Sequence, residues 1–150
     1  MSDEFLEARK DKFIFKVKKS AFYSEEGIWF LVDGEFARIG ISDYKQQTIG
    51  DIGFVEFSKV GQELHPDGEI AVIETIKTVM DVLSPVNALL HKINDRLEDE
   101  PELINEDPYG DGWIAIIKLT SWEQDKTKLL SAERYLNVMM EQAEEEAKNL

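Results

Sequence analysis

Apolar positions along the chain fall into short runs separated by turn residues, with one helical stripe at the end. Ile28-Trp29-Phe30-Leu31-Val32 leads into Asp33-Gly34, a dipeptide that favours a type I′ turn, and Glu35–Ile41 returns, so a hairpin is predicted. Ser42-Asp43 offers a cap for a short helix running to Ile49, where Gly50 stops it. Ile52–Phe57 and Val60–Leu64 read as strands, the second entering the proline-led turn His65-Pro66-Asp67-Gly68. After Ser84-Pro85, Val86–Ile93 is a further strand, and Trp113–Leu119 another. Residues 94–112 between them are acidic and broken by Pro101, Pro108, Gly110 and Gly112, with room for one helical turn near Glu102–Ile104. Ser121 with Gln124 makes a capping-box pattern, and Leu129, Ala132, Leu136, Met139, Met140 and Ala143 mark one face of a terminal helix.

The segment from Ile70 to Leu83 supports two readings. Val72, Ile73, Ile76, Val79, Met80 and Leu83 fit a helical stripe. Yet seven of the ten residues from Ile70 to Val79 are β-branched, and their restricted side chains favour strands. Composition tips the segment toward strand while periodicity leaves it open. The element order is mostly β with a helical tail, and no internal repeat is present.

Charge changes the picture of the termini and the partners. The chain of 150 residues carries a formal −14. Residues 9–19 hold six cations against Asp11, so everything from Ser20 onward carries −16. Such a field disfavours nucleic-acid backbones and anionic membranes and selects basic partner surfaces. The basic stretch could touch RNA, but without a wider basic face it reads as a solvated strand or linker, loosely held until Phe13-Ile14-Phe15. Three parts follow: a charged N-terminal extension over 1–19, a β-domain over 20–128, and a C-terminal helix with an acidic tail over 129–150. Apolar residues at 43% are enough for a core. The absence of cysteine excludes disulfides, thiolate metal sites and cysteine nucleophiles. With no leader-like or spanning apolar run, the expected location is the cytoplasm.

Ordinary catalytic patterns fail. His65 and His91 stand 26 residues apart with no close ligand companions, so no metal site is expected. Gly50-Asp51-Ile52-Gly53 lacks the lysine and third glycine of a phosphate loop, and no nucleophile elbow exists. Counting a calcium loop from Asp107 puts Lys118 where a bidentate Glu is needed, and counting from Asn105 puts Ile116 there. What remains is Lys77, midway between two strand-like halves, with Glu74 three residues before it and Asp81 four after. Should the halves fold back on each other, the lysine stands at a hairpin tip. A tip lysine is most often a solubilising charge, but a long stem holding an amine clear of the body is also what a ligase needs in order to acylate it.

Several stretches resemble one family. They are Ile39-Gly40-Ile41-Ser42-Asp43-Tyr44, Gly50-Asp51-Ile52, Phe54-Val55-Glu56, Glu74-Thr75-Ile76-Lys77-Thr78-Val79-Met80-Asp81, Ser84-Pro85-Val86 and Glu102-Leu103-Ile104-Asn105-Glu106-Asp107-Pro108-Tyr109-Gly110. From Phe22 to Tyr135 the chain is similar to the H proteins of the glycine cleavage system, which are lipoyl carriers. The resemblance implies a mostly β fold: a flattened lipoyl-type barrel or sandwich of two antiparallel sheets with short helices and a C-terminal helix, and Ile70–Leu83 as a hairpin. It implies lipoate bound covalently to Lys77, with Glu74 and Asp81 as flanking recognition acids and Tyr44 as a contact of the arm. Ile76 and Thr78 stand where biotin domains usually carry methionines, which favours lipoate. The implied partners are a lipoate-protein ligase or lipoyl transferase, glycine decarboxylase, aminomethyltransferase, and dihydrolipoamide dehydrogenase. Sulfur chemistry without cysteine is then possible because the cofactor brings the sulfur.

Three departures bear on the pathway. Gly27 and Ile28 stand where family members commonly have His-Glu before the tryptophan, Asn87-Ala88 replaces a common Ser-Gly, and the acidic tail is longer. The missing carboxylate and imidazole favour, by a small margin, an H-like lipoate-binding carrier serving a heterodisulfide-reductase-like complex in sulfur oxidation. The alternative is the glycine-cleavage H protein itself, shuttling an aminomethyl group. In either case the chain is a non-catalytic carrier. A cofactor-free acidic interaction domain is the reading of another class, and an independent hydrolase or transferase has no nucleophile–base pair to rest on.

Overall fold

Ile28, Trp29 and Phe30 are consecutive in one strand and all are buried. Successive strand side chains point to opposite faces, so the sheet holding them must be covered on both sides. The computed structural model, which describes residues 4–148, shows how. Strands β1 (Phe5–Lys10) and β2 (Phe13–Lys18) form a separate two-stranded hairpin. Six strands make the central sheet: β3 (Phe22–Tyr23), β4 (Ile28–Asp33), β5 (Phe36–Ile41), β7 (Glu63–Leu64), β10 (Ala88–Ile93) and β11 (Ala115–Leu119), in the order β3-β4-β5-β11-β10-β7. Strands β6 (Ile52–Phe57), β8 (Gly68–Thr75) and β9 (Val79–Ser84) form the third sheet, in the order β6-β8-β9. Helix α1 (Asp43–Ile49) follows β5, α2 (Arg96–Asp99) and α3 (Leu103–Glu106) lie in the acidic segment, α4 (Trp122–Asp125) follows β11, and α5 (Ala132–Lys148) closes the chain.

One core lies between the central and the three-stranded sheets and takes Ile28, Phe30, Ile39, Ile73, Val82 and Leu90. A second lies on the other face, where Trp29, Tyr23 and Tyr44 meet Phe15 and Val17 of β2 and Tyr135 and Met139 of α5. The architecture is the mostly β, antiparallel one expected, with its C-terminal helix. The sheets do not close into a barrel, and there are three of them rather than two. The added sheet corrects the expectation of a loosely held stretch before Phe13. Charges at Glu7, Arg9 and Lys10 obscure the strand pattern of β1, but its pairing with β2 and its packing on α5 hold it in place.

Local chemistry accounts for the other boundary differences. The β4–β5 turn places Gly34 and Glu35 between paired Asp33 and Phe36, and only Gly34 (φ +63°) is left-handed. That is the type II′ pattern, one residue later than the expected I′ turn. The expected strand Val60–Leu64 shrinks to β7 because Lys59–Gln62 is a turn, with Gln62 N donating to Lys59 O at 3.1 Å. Strand β10 starts at Ala88, two residues late, since Ser84–Val86 forms a corner in which Ser84 Oγ donates to Val86 O at 2.6 Å. Asn87, one of the departures, earns its place here: its backbone N–H donates to the buried Asp125 Oδ2 at 2.8 Å and ties α4 to the sheet. The capping box at Ser121 makes no side-chain bond, and α5 instead begins after Ser131, whose Oγ accepts from Arg134 N at 3.2 Å.

Tyrosines fasten the outer layers to the central sheet. Tyr23 and Tyr135 stack at 4.4 Å, Tyr135 Oη and Ser42 Oγ lie 2.7 Å apart, and Tyr109 Oη donates to Lys16 O at 2.9 Å. Burial raises the pKa values of Tyr23 and Tyr109 well above the ordinary range, and that of Tyr135 from 10 to about 12. Between pH 10 and about 12 the unfolded chain therefore loses protons that the folded protein keeps, and stability falls as pH rises. Each such phenol contributes about 1.4 kcal/mol per pH unit in that window. Denaturant unfolding repeated across it is expected to show this steep decline, and a flat profile would refute the assignment. Among the described residues no helix is long and apolar enough to cross a membrane.

Candidate functional site

Strands β8 and β9 pair with Glu74 opposite Val79, and the chain reverses through Ile76 and Lys77. Thr75 makes this turn: its N–H donates to Thr78 O at 2.9 Å, and its Oγ1 accepts from Thr78 N at 3.1 Å and Lys77 N at 3.3 Å. The threonine hydroxyl thus holds the backbone of the lysine from within the turn. Ala71, Ile73 and Val82 anchor the hairpin in the core, while Ile76 at the tip is fully exposed and Lys77 is exposed beside it. The tip placement expected for Lys77 is what the register produces, and the helical alternative for Ile70–Leu83 falls away.

Glu74 and Asp81 are both exposed, on the outward face of the sheet. Asp81 pairs with Val72 and Glu74 with Val79, so the two acids are diagonal neighbours across β8 and β9. Among the described residues neither joins an ion pair. Phe54, half exposed, shares the row of Glu74 and Val79, giving this face an apolar and acidic chequer.

Two clefts flank the hairpin. A groove of about 380 Å³ is lined by Lys77 together with Tyr44, Gln47 and Thr48 of α1. Its far wall comes from Phe13 and Phe15 of the first hairpin and from Ala143, Glu146 and Ala147 of α5. The other cleft, about 230 Å³, is bounded by Glu26, Ile28, Met80, Asp81 and Leu83. Gly50 borders the first side. It ends α1 at φ +85°, a conformation suited to glycine, and a Cβ there would stand 3.5 Å from Lys77 Cε. Asn105 holds that corner, donating from Nδ2 to Gly50 O at 3.0 Å and accepting from Ile52 N at 2.9 Å. Asn105 in the acidic stretch therefore supports the α1–β6 corner beside Lys77, a role that spacing did not reveal.

Tyr44 is 3% exposed, yet its hydroxyl has no hydrogen-bond partner among the described residues. Burial raises its pKa, and the Glu146 carboxylate adds to the shift. A long acyl group on Lys77 fits this setting: the attachment amine is exposed and its stem borders an apolar groove.

The pattern of the family described as Glycine cleavage H-protein matches residues 21–142. The chain belongs to the glycine cleavage H-protein family. It is 37% identical to the glycine cleavage system H protein of Carboxydothermus hydrogenoformans over 85% of this chain and 98% of that one. It is 38% identical to the corresponding protein of Thermus thermophilus, over the same shares. A solved glycine cleavage system H protein from Mycobacterium marinum superposes with a TM-score of 0.69 at 25% identity, covering 81% of this chain and 97% of that one. These H proteins are named for glycine cleavage, and the leaning toward sulfur oxidation finds no support among them. The substitution behind that leaning has a packing explanation, since Ile28 is 2% exposed in the main core of this H-protein fold.

Proposed function

We propose that this chain is the lipoyl carrier of a glycine cleavage system, with Lys77 as the attachment residue. The observation that carries the reading is Lys77 at the exposed turn of β8 and β9, within a chain whose family match spans 21–142. Acylation forms an amide between the lysine Nζ and an activated lipoyl carboxyl, and the amine proton and the activating group leave. The bound cofactor would supply a disulfide that accepts a group once reduced. Every other contribution is positional. Thr75 orders the turn, Gly50 and Asn105 keep the neighbouring corner in place, and the exposed tip lets the arm reach active sites on other proteins. The chain is expected to carry a group for other enzymes rather than to catalyse a reaction by itself.

The expected partners are a lipoate-protein ligase or lipoyl transferase, then glycine decarboxylase, aminomethyltransferase and dihydrolipoamide dehydrogenase. A heterodisulfide-reductase-like complex is the competing assembly. The experiment that separates them mixes the lipoylated protein with glycine decarboxylase and aminomethyltransferase in labelled glycine and bicarbonate. Carboxyl exchange at the rate of an established H protein is expected. No exchange from a sample whose mass shows full lipoylation would sink the glycine reading.

The acids around the lysine should act in recognition. A Glu74→Ala, Asp81→Ala double variant removes two solvated charges and should change stability by only a few tenths of a kcal/mol. Its initial rate of lipoylation by a competent ligase is expected to fall, because a basic ligase surface loses two attractive charges beside the amine. Equal rates for the variant and the wild type would remove this role.

A further inference from the structure

We propose that the first hairpin, β1–β2, is a docking element for the enzymes that this carrier serves. It forms the cationic half of a two-signed surface around Lys77. It fits a partner with an acidic, partly apolar patch beside the entrance to its active site. The proposal rests on Lys77 being the lipoylated residue. The family match covers 21–142 and so begins after this hairpin. Its charge is opposite to that of the remainder, since residues 9–19 hold six cations against Asp11 in a chain of net −14. Between paired Lys10 and Phe13, Asp11 and Lys12 form the tip. Lys10, Asp11 and Phe13 line the same groove as Lys77. The lysine is thus flanked by surfaces of opposite sign, cationic on the first hairpin and anionic on the sheet face that carries Glu74 and Asp81.

Three observations argue for this occupant. The first is that apolar and cationic side chains interleave on the hairpin. Phe13 is 48% and Ile14 39% exposed. Ile14 pairs with Arg9, and the Lys12 ammonium lies 5.8 Å from the Phe13 ring centroid. Exposed apolar groups framed by cations resemble the core and rim of a protein interface, whereas nucleic acid requires a wider basic face. The second is that the matched part of the chain holds this element in place. Lys16 N donates to Asp43 Oδ2 at 2.9 Å, Gln47 Nε2 to Ile14 O at 3.2 Å, and Tyr109 Oη to Lys16 O at 2.9 Å. A surface fixed in advance loses little freedom on binding. The third is the arrangement of sign. A second copy of the chain, also at −14, is repelled at long range, and a uniformly acidic partner is repelled by Glu74 and Asp81. A partner with acids facing the first hairpin and bases facing β8 and β9 satisfies both in a single orientation. That orientation brings Lys77 to the mouth of the partner's active site.

The test uses full-length protein, with lipoylation located at Lys77 by peptide mapping. Its partners are the glycine decarboxylase and dihydrolipoamide dehydrogenase of the same cell, assayed by carboxyl exchange and by NADH-driven reduction of the arm. A Lys10→Glu, Lys12→Glu double variant reverses two charges that join no ion pair among the described residues. With at least one of the two enzymes it is expected to lower kcat/KM about tenfold at low ionic strength, through KM with kcat retained. That gap should close as salt screens the charges. Phe13→Ala is expected to lower kcat/KM about threefold or more at every salt concentration, because an apolar contact has no charge to screen. Wild-type values in both variants with both enzymes would overturn the docking and leave the carrier reading intact. A wild type that a competent ligase leaves unmodified, or that is fully lipoylated yet inactive with both enzymes, would sink the carrier reading and the docking together. An RNA oligonucleotide bound by wild type and not by the double variant would assign the hairpin to another occupant and overturn the proposal. So would a dimer in sedimentation that the double variant abolishes.

Discussion

Lys77→Arg should leave the protein folded and abolish its modification entirely. Arginine keeps the positive charge and a long stem at the exposed turn of β8 and β9, so the tip loses nothing it needs for stability. It lacks an acylable amine, and no carrier function survives without one. Coexpression with a competent lipoate ligase followed by intact mass measurement is the check. Wild type should gain the lipoyl increment in full and the variant none, with matching unfolding midpoints. A lipoylated Lys77→Arg protein, or unmodified wild type under the same conditions, would remove the basis of the carrier assignment.

The second large effect is on stability, at Trp29. This residue is fully buried and its Nε1 donates to Ile41 O at 3.0 Å and to Pro108 O at 3.1 Å. Its ring also lies against Tyr109, with centroids 5.8 Å apart. Trp29→Ala would leave a cavity on the α5 side of the central sheet and strip two carbonyls of a donor. A loss of roughly 3–5 kcal/mol is expected from the cavity and the lost burial alone. Domains of this size are commonly stable by only about 5–15 kcal/mol, so the unfolding midpoint should fall drastically. Trp29→Phe retains most of the ring volume but loses the donor, and about 1–3 kcal/mol is expected from that change. Hydrogen exchange should also quicken in the segment around Pro108, because the indole is one of the groups that tie it to the sheet. Urea unfolding measures both variants, and a midpoint unchanged in Trp29→Ala would disprove the role given to this contact.

Local rules in the sequence reached most of the elements. Ser42 was readable as a cap and Gly50 as a stop because each satisfies a need of the adjacent helix end. His65-Pro66-Asp67-Gly68 was readable as a turn, and Asp67 adopts φ +74° with Gly68 N donating to His65 O at 2.7 Å, the type II pattern. The β-branched run through Lys77 gave the hairpin a weak lean and the motif around it gave the stronger one. The failures came where local signals compete with packing. Strand β1 alternates Leu6 and Ala8 with charged residues, so it reads as solvated chain until α5 is present to cover it. Ser121 precedes only the short α4, and the long helix starts at Ala132, after Leu130 O accepts from Tyr23 N and turns the chain.

The hairpin-tip place of Lys77 was legible as one of two readings of its β-branched segment, whereas the attachment role proposed for it came only through the family resemblance. The turn and exposure of the lysine follow from a strand preference that composition tipped and the family motifs strengthened. The groove was not legible. Tyr44, Phe13 and Glu146 belong to α1, the first hairpin and α5, and nothing in their own neighbourhoods relates them to Lys77. Only the family resemblance relates Tyr44 to Lys77, and the Glu146 carboxylate that raises its pKa reaches it through packing. Spacing and periodicity describe how a residue sits in its own element, whereas a cleft arises from how separate elements pack. Only the tertiary structure could bring the two ends of the chain to the same lysine.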